Sequence, residues 1–298
     1  MVYACLRLLS QSVPEPPLLV YEVGADLQRK AVPFDHPLMQ LIRQPNPLMT
    51  EYEMMELTTL HLGIIGRSHW FKQRDNLGRI TALWPLRPDR VGPRYAGDAN
   101  SEYASDATAS NPKADQHVLA GWNYWPPGMG EPVQLDLSDV VTFNLPDPAG
   151  ETGGMVEGLG PLQVLSREVE ADNEATNYVA ALLKNGAVPG SIIMLKQAGV
   201  SKDQAQKVKR NFEAQFGGQD RGHTAVLDAD TTFTQVGFNL QNLEFPNLRD
   251  ISEARITSVF GTPAILVGVH AAIKSSIRAT IAEQREYFAE TTLANYWR

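Results

Sequence analysis

A helix that cannot cover itself is the strongest constraint in this sequence. Residues 161–185 read as one long helix opening at Pro161, a favoured first helical position because the missing N–H would find no partner there anyway. Its middle, SREVEADNEATN (166–177), offers only Val169 and small alanines as apolar residues over several turns. Such a helix cannot bury an apolar stripe against its own core. It is either solvent-exposed or packed through small residues against other helices, including those of another subunit. The core must come from elsewhere in the chain. At 298 residues, 43% of them hydrophobic, the sequence can supply it for one large domain or two to three small ones.

The flanking segments read as follows. VYACLRLLSQS (2–12) is a helix with Val2, Cys5, Leu6 and Leu9 on one face, ended by PEPP (14–17). PLLVYEV (17–23) is a strand closed by Gly24. A short helix with Leu38, Leu41 and Ile42 stops at Pro45 and Pro47. Thr50 and Glu53 then form a capping box for a helix running to about Leu62. SHWFKQRDNLGRITALWPL is a hairpin turning at Asp75-Asn76-Leu77-Gly78. Residues 92–132, rich in Gly, Ala, Ser, Asp, Asn and Pro, read as a long loop with room for a short hairpin, and 133–145 returns to strand. After the long helix comes a β-α-β-β unit. It comprises a strand at 190–195, an amphipathic helix capped by Ser201 and Gln204, and a hairpin of 223–228 with 231–236. A second long helix runs from Pro246 to Phe260 with Leu248, Ile251, Ile256 and Val259 as its apolar residues, stopped by Gly261 and Pro263. Residues 262–276 form an apolar connection, and a last helix fills about 277–297.

The search for chemistry excludes more than it finds. The charge of −8, from 34 acidic and 26 basic residues, argues against a surface that neutralises phosphates throughout. Cys5 is the single cysteine, so no intramolecular disulfide forms, which fits a reducing compartment. No apolar run approaches the roughly 20 residues that span a bilayer, and Arg7 interrupts the only stretch resembling a signal peptide. The expectation is a soluble, intracellular protein with no membrane partner and no cofactor. The six histidines include no i, i+4 pair and no zinc array, and read as scattered surface or half-buried side chains. GGQDRGHT (217–224) nearly matches a phosphate-binding loop. It follows a helix and precedes a strand, however, which is the reverse of what phosphate binding needs, so it reads as a helix cap and turn. Glu170 and Glu174 share a face of the acidic helix and leave open a metal site or an acidic channel wall beside the simpler reading of a solvated face. Between residues 184 and 236 seven basic residues face five acidic ones, which suits either a partner surface or an ordinary solvated helix.

Several stretches, in order, resemble tailed-phage portal proteins of the HK97 type. They are VYACLRLLSQSVPEPPLLVYE, DHPLMQLIRQPNPLMT, HLGIIGRSHWFKQRDNLGRITALWPLRPDRV, GLGPLQVLSREVEADNEATNYVAALLKNGAVPGSIIML, VSKDQAQKVKRNFEAQFGG, ISEARITSVFGTPAILVGV and AEQREYFAETTL. The resemblance covers nearly the whole chain. Two positions depart from it: Ala264 stands where the family usually has a second proline, and Asn295 where proline often follows the "tL" pair.

The resemblance implies an α+β portal fold. Its wing is 1–159 completed by 277–298, its stem helices are 160–186 and 240–261, its clip is the unit 187–239, and its tunnel loop is 262–276. The family's crown region is expected to be absent. The resemblance also implies a non-enzymatic homo-oligomeric ring, typically of twelve subunits, at a capsid vertex. Double-stranded DNA, held weakly and without sequence preference, passes through it during packaging and ejection. Terminase, capsid and head-completion proteins are the expected partners, with assembly in the host cytoplasm and final residence in the virion. Lys274, Arg278, Glu170 and Glu174 are the candidates for the DNA channel. Lys202, Lys207, Lys209 and Arg210 are candidates for the clip's terminase-facing surface, and Ala171, Ala175, Ala180 and Ala181 for subunit packing. The competing reading is a metal-dependent hydrolase or nuclease using the acidic helix 166–177.

Overall fold

The computed structural model describes residues 1–24, 27–95, 119–149, 156, 158–184, 191–195, 206, 210, 231–235, 245–268 and 281–297. The chain divides into two units, one of Met1–Ser166 with Glu253–Arg298 and one of Arg167–Ser252. The second is thus a single insertion into the first.

In the larger unit, α1 (Val2–Ser12) buries Cys5, Leu6, Leu9 and Ser10. The buried thiol fits a packing role for Cys5, whose pKa burial raises. Helix α3 (Glu51–Ile65) begins at the capping box read from the sequence. The Thr50 N–H donates to Glu53 Oε2 (2.7 Å) and the Glu53 N–H to Thr50 Oγ1 (3.4 Å). It ends at Gly66, whose φ of +83° only glycine adopts without strain. A second reason for glycine lies across the junction with 158–160: a side chain on Gly66 would overlap the Gly160 nitrogen and the Gly158 and Leu159 carbonyl carbons, and the Gly66 carbonyl accepts from the Leu145 N–H (2.8 Å). Helix α2 (Pro37–Arg43) buries Met39 rather than the expected Leu38, which is exposed.

The hairpin of β3 (Arg67–Arg74) and β4 (Ile80–Leu86) turns at Asp75–Gly78 as expected. Asp75 accepts from the Leu77 and Arg79 amides. Strand β3 also pairs with β8 (Val140–Asn144), giving the order β4-β3-β8.

Residues 92–132 do not form the expected loop throughout. Val91–Tyr95 is a strand, β5, paired antiparallel with β6 (Leu119–Tyr124), and β6 pairs with β7 (Val133–Asp136). Pro93 is tolerated because β5 lies at the edge of this sheet, where a missing donor costs no ladder bond. Leu86, Val91, Trp122, Val140 and Val156 form one core cluster joining the two sheets. The strand expected over 17–23 is confined to β1 (Tyr21–Val23), paired with β2 (Arg29–Ala31) in a separate exposed hairpin.

Among the described histidines His69 departs from the expectation by lying in the core, while His61 is half-buried as expected. His69 is fully buried, with Nδ1 3.1 Å from Thr142 Oγ1 and its ring 4.6 Å from the Trp122 ring. Burial lowers its pKa to about 3, with help from the Arg67 charge. His61, 3.2 Å from Ser68 Oγ, is lowered to about 4, chiefly by burial.

In the inserted unit, β9 (Ser191–Leu195) pairs antiparallel with β10 (Thr231–Gln235). Gln206 and Arg210 are helical, within the helix expected there. The strand expected at 223–228 and the phosphate-loop lookalike at 217–224 lie outside the described residues.

Candidate functional site

The expected long helix is two. Helix α4 (Pro161–Val164) starts after Gly160, whose N–H donates to Gln163 Oε1 (2.8 Å), and breaks at the buried Leu165. Helix α5 (Ser166–Lys184) then runs for 19 residues, about 28 Å at 1.5 Å per residue. From Ser166 to Ala181 not one residue is buried. Glu168, Val169, Asp172, Ala175 and Val179 are half-buried and the others exposed, Tyr178 at 41%. Glu168, Asp172, Ala175 and Val179 are spaced by four, three and four, so they form a single seam. At about 100° per residue, Glu170 and Glu174 lie on the opposite side.

The helix sorts the expected packing alanines. Ala171 and Ala175 are four apart and adjacent. Ala181 falls on the carboxylate side, seven residues after Glu174, and Ala180 lies on neither face. Among the described residues, no three His, Cys, Asp or Glu come together to hold a metal ion, so the metal-dependent hydrolase reading gains no support from Glu170 and Glu174. No described helix is long and apolar enough to cross a membrane.

Helix α6 (Phe245–Val259) ends in the larger unit, where Ile256, Thr257, Phe260 and Thr262 are buried. Val259, expected among its apolar face, is 40% exposed. Gly261 reverses the chain at φ +64°. The Thr262 N–H and hydroxyl both donate to the Thr257 carbonyl, at 2.9 and 3.4 Å. Residues 264–268 continue as turns, with Leu266 N–H donating to Pro263 (2.9 Å) and Gly268 N–H to Ile265 (3.3 Å). Of the cationic candidates only Arg210 is described, exposed on its helix. Lys202, Lys207, Lys209, Lys274 and Arg278 lie outside the described residues.

The last helix is not uniform. Helix α7 (Ile281–Phe288) passes through a π-turn, Ala289–Leu293, into α8 (Ala294–Trp297). No sequence motif announced this turn. The available signal was the five-residue spacing of Phe288 and Leu293, about 140° apart on an α-helix yet both buried with Leu9 and Val13. A turn with i→i+5 bonds brings residues five apart onto one side. The Thr292 hydroxyl then donates to the Gly261 carbonyl (2.7 Å), and Trp297 Nε1 to the Val13 carbonyl (2.9 Å).

Comparison with known proteins gives this arrangement a family. The sequence matches the family model for phage portal proteins over residues 1–298. The chain belongs to the phage portal protein family. It is 24% identical over 303 residues to the portal protein of Enterobacteria phage HK97, covering 99% of this chain and 63% of that protein. An uncharacterized protein of Rickettsia bellii (strain RML369-C) is 22% identical over 276 residues, 90% of this chain and 64% of that one. The chain therefore spans less than two thirds of the length of these relatives. Among solved structures, the neck of an empty gene transfer agent particle computed with C6 symmetry has a TM-score of 0.63 at 19% identity, over 99% of this chain and 73% of that one. A phage portal protein of the HK97 family from Corynebacterium diphtheriae has a TM-score of 0.62 at 16% identity, over 98% and 81%. The fold is thus the α+β portal fold.

Proposed function

We propose that this chain is a subunit of a portal ring, the head–tail connector at a capsid vertex, through which double-stranded DNA is packaged and ejected. The carrying observation is α5, a helix of 19 residues with nothing buried from 166 to 181 in a portal-family chain. A cyclic ring covers such a helix through a heterologous contact, one face of a subunit against a different face of the next. A similar solved neck, that of a native gene transfer agent particle, was computed with C12 symmetry, which supports twelve subunits here.

In this reading the wing is 1–159 with 277–298, the stem helices are 160–186 and 240–261, the clip is 187–239 and the tunnel loop is 262–276. Glu170 and Glu174 face the channel as an acidic wall. DNA that must slide is served by few phosphate contacts, because each neutralised phosphate adds affinity through counterion release. Lys274 and Arg278 supply those sparse contacts. Lys202, Lys207, Lys209 and Arg210 face the terminase, and capsid and head-completion proteins bind the ring in the virion. The function needs no catalytic residue and no cofactor.

Mass photometry and negative-stain imaging of the purified protein test the ring. The expected result is a closed ring with a mass near twelve times the 32.9 kDa of the chain. A clean monomer at micromolar concentration, in a protein with the terminal segments of its longer relatives supplied, overturns it.

A further inference from the structure

The end of α6 is held by a hydrogen bond from an element distant in sequence, and the geometry of that contact is unusual on both sides. On one side Gly261 has φ +64°, and a Cβ built there would lie 2.7 Å from Thr292 Oγ1 and 3.1 Å from Thr292 Cγ2. Only glycine allows the chain to reverse and Thr292 to approach in the same place. On the other side Thr292 sits inside the π-turn, a wide turn that is rare and costly enough to need a reason. The turn keeps Phe288 and Leu293 in the core with Leu9 and Val13, and it leaves the Thr292 hydroxyl 2.7 Å from the Gly261 carbonyl.

Two neighbouring polar groups stitch the loosened helix without reaching α6. The Thr291 hydroxyl donates to the Tyr287 carbonyl (2.6 Å) and the Asn295 amide to the Thr291 carbonyl (2.8 Å). Thr292 is thus the member of this polar group whose hydroxyl bonds outward. Its target is the last residue before the chain enters the segment 262–268.

We propose that Thr292 is a positioning residue: the π-turn and Gly261 form a latch that fixes the direction in which the chain leaves α6, and so the placement of residues 262–268. This rests on the portal reading for its purpose, because 262–268 opens the stretch assigned to the tunnel loop. The latch itself is a local property that does not require the ring. The backbone hydrogen bonds of 262–268 are short-range, those of Thr262 to Thr257, Leu266 to Pro263 and Gly268 to Ile265. The Thr262 side chain also bonds Cys5, and Leu266 packs against Leu9, Val13, Phe288 and Leu293, so among the described residues Thr292 is one of three ties from this segment to the rest of the larger unit. Losing one outward bond therefore loosens this segment before it loosens the core.

Hydrogen–deuterium exchange on the full protein tests the latch. In Thr292→Val, exchange in the peptide covering 258–268 should rise about five- to tenfold, the effect expected for one hydrogen bond lost from a local opening equilibrium. The β3–β4 hairpin should stay unchanged. Thr292→Ser keeps the donor and should restore wild-type protection. Thr291→Val, which removes the neighbouring hydroxyl, should leave 258–268 as it was. The proposal is overturned if Thr292→Val leaves 258–268 unchanged, if exchange rises equally across the larger unit, or if Thr291→Val gives the same effect. Should Thr292→Val fail to fold, the Ser and Thr291→Val variants decide: loss of protection at 258–268 in either one overturns the latch, and protection retained in both supports it. Particle mass reads the ring and exchange reads the latch, so either can fail alone.

Discussion

His69 shows how far a single side chain can depart from its sequence reading. Its neighbours Trp70 and Phe71 marked a strand, but nothing local showed which side of the sheet it faced. The answer depends on β8 and β6, more than 50 residues away, which bring Thr142 and Trp122 against the imidazole. The consequence is a pH dependence with a definite sign. The folded state holds His69 neutral down to about pH 3, while the unfolded chain protonates it near the ordinary value of about 6.5. Between these values the unfolded state binds more protons, so stability is fully present above about pH 6.5 and is lost as pH falls towards 3. At pH 5 the loss from His69 alone should reach up to about 2 kcal/mol. Denaturant titrations from pH 7 to 5 check it, with His69→Gln expected to give a flatter profile on a lower baseline. Asn295 is a second instructive residue. The resemblance marked it as a departure from proline, and its side chain now donates to the Thr291 carbonyl, which a proline could not do.

At the level of elements, legibility tracked the range of the forces involved. Helix α3 was readable because Thr50 and Glu53 satisfy each other within four residues, and Thr50→Ala should cost about 1 kcal/mol in a thermal or denaturant melt. The β3–β4 hairpin was readable because Asp75 and Gly78 encode its turn locally. Strands β5 and β6 were not. Val91-Gly92-Pro93-Arg94-Tyr95 carries two residues that weaken a strand, and its partner begins at Leu119. Pairing across that separation overrides local preference. The π-turn was invisible for a similar reason, since only the joint burial of Phe288 and Leu293 against α1 requires it. The acidic helix stood at the other extreme. Its lack of an apolar stripe is a matter of composition, and its exposure followed directly. The cationic candidates did not gain in the same way, because Arg210 alone among them is described.

For the whole molecule, the exposed α5 gives a discriminating test of assembly. Ala171 is exposed in the single chain, so Ala171→Glu should change intrinsic stability by no more than about 0.5 kcal/mol. If α5 is covered by a neighbouring subunit, the same substitution should abolish the ring, read as a collapse of particle mass with an unchanged circular-dichroism melt. A variant that still forms rings would move the subunit contact away from Ala171. The division of the chain carries a further consequence. Residues 167–252 leave the larger unit once and return once, so the polypeptide passes between the two bodies at only two covalent points. An insert of that kind can drift, lengthen or be replaced between lineages while the host scaffold keeps its own packing. Sequence divergence among related chains should therefore concentrate inside 167–252, and swapping that block between relatives is the recombination the architecture tolerates best.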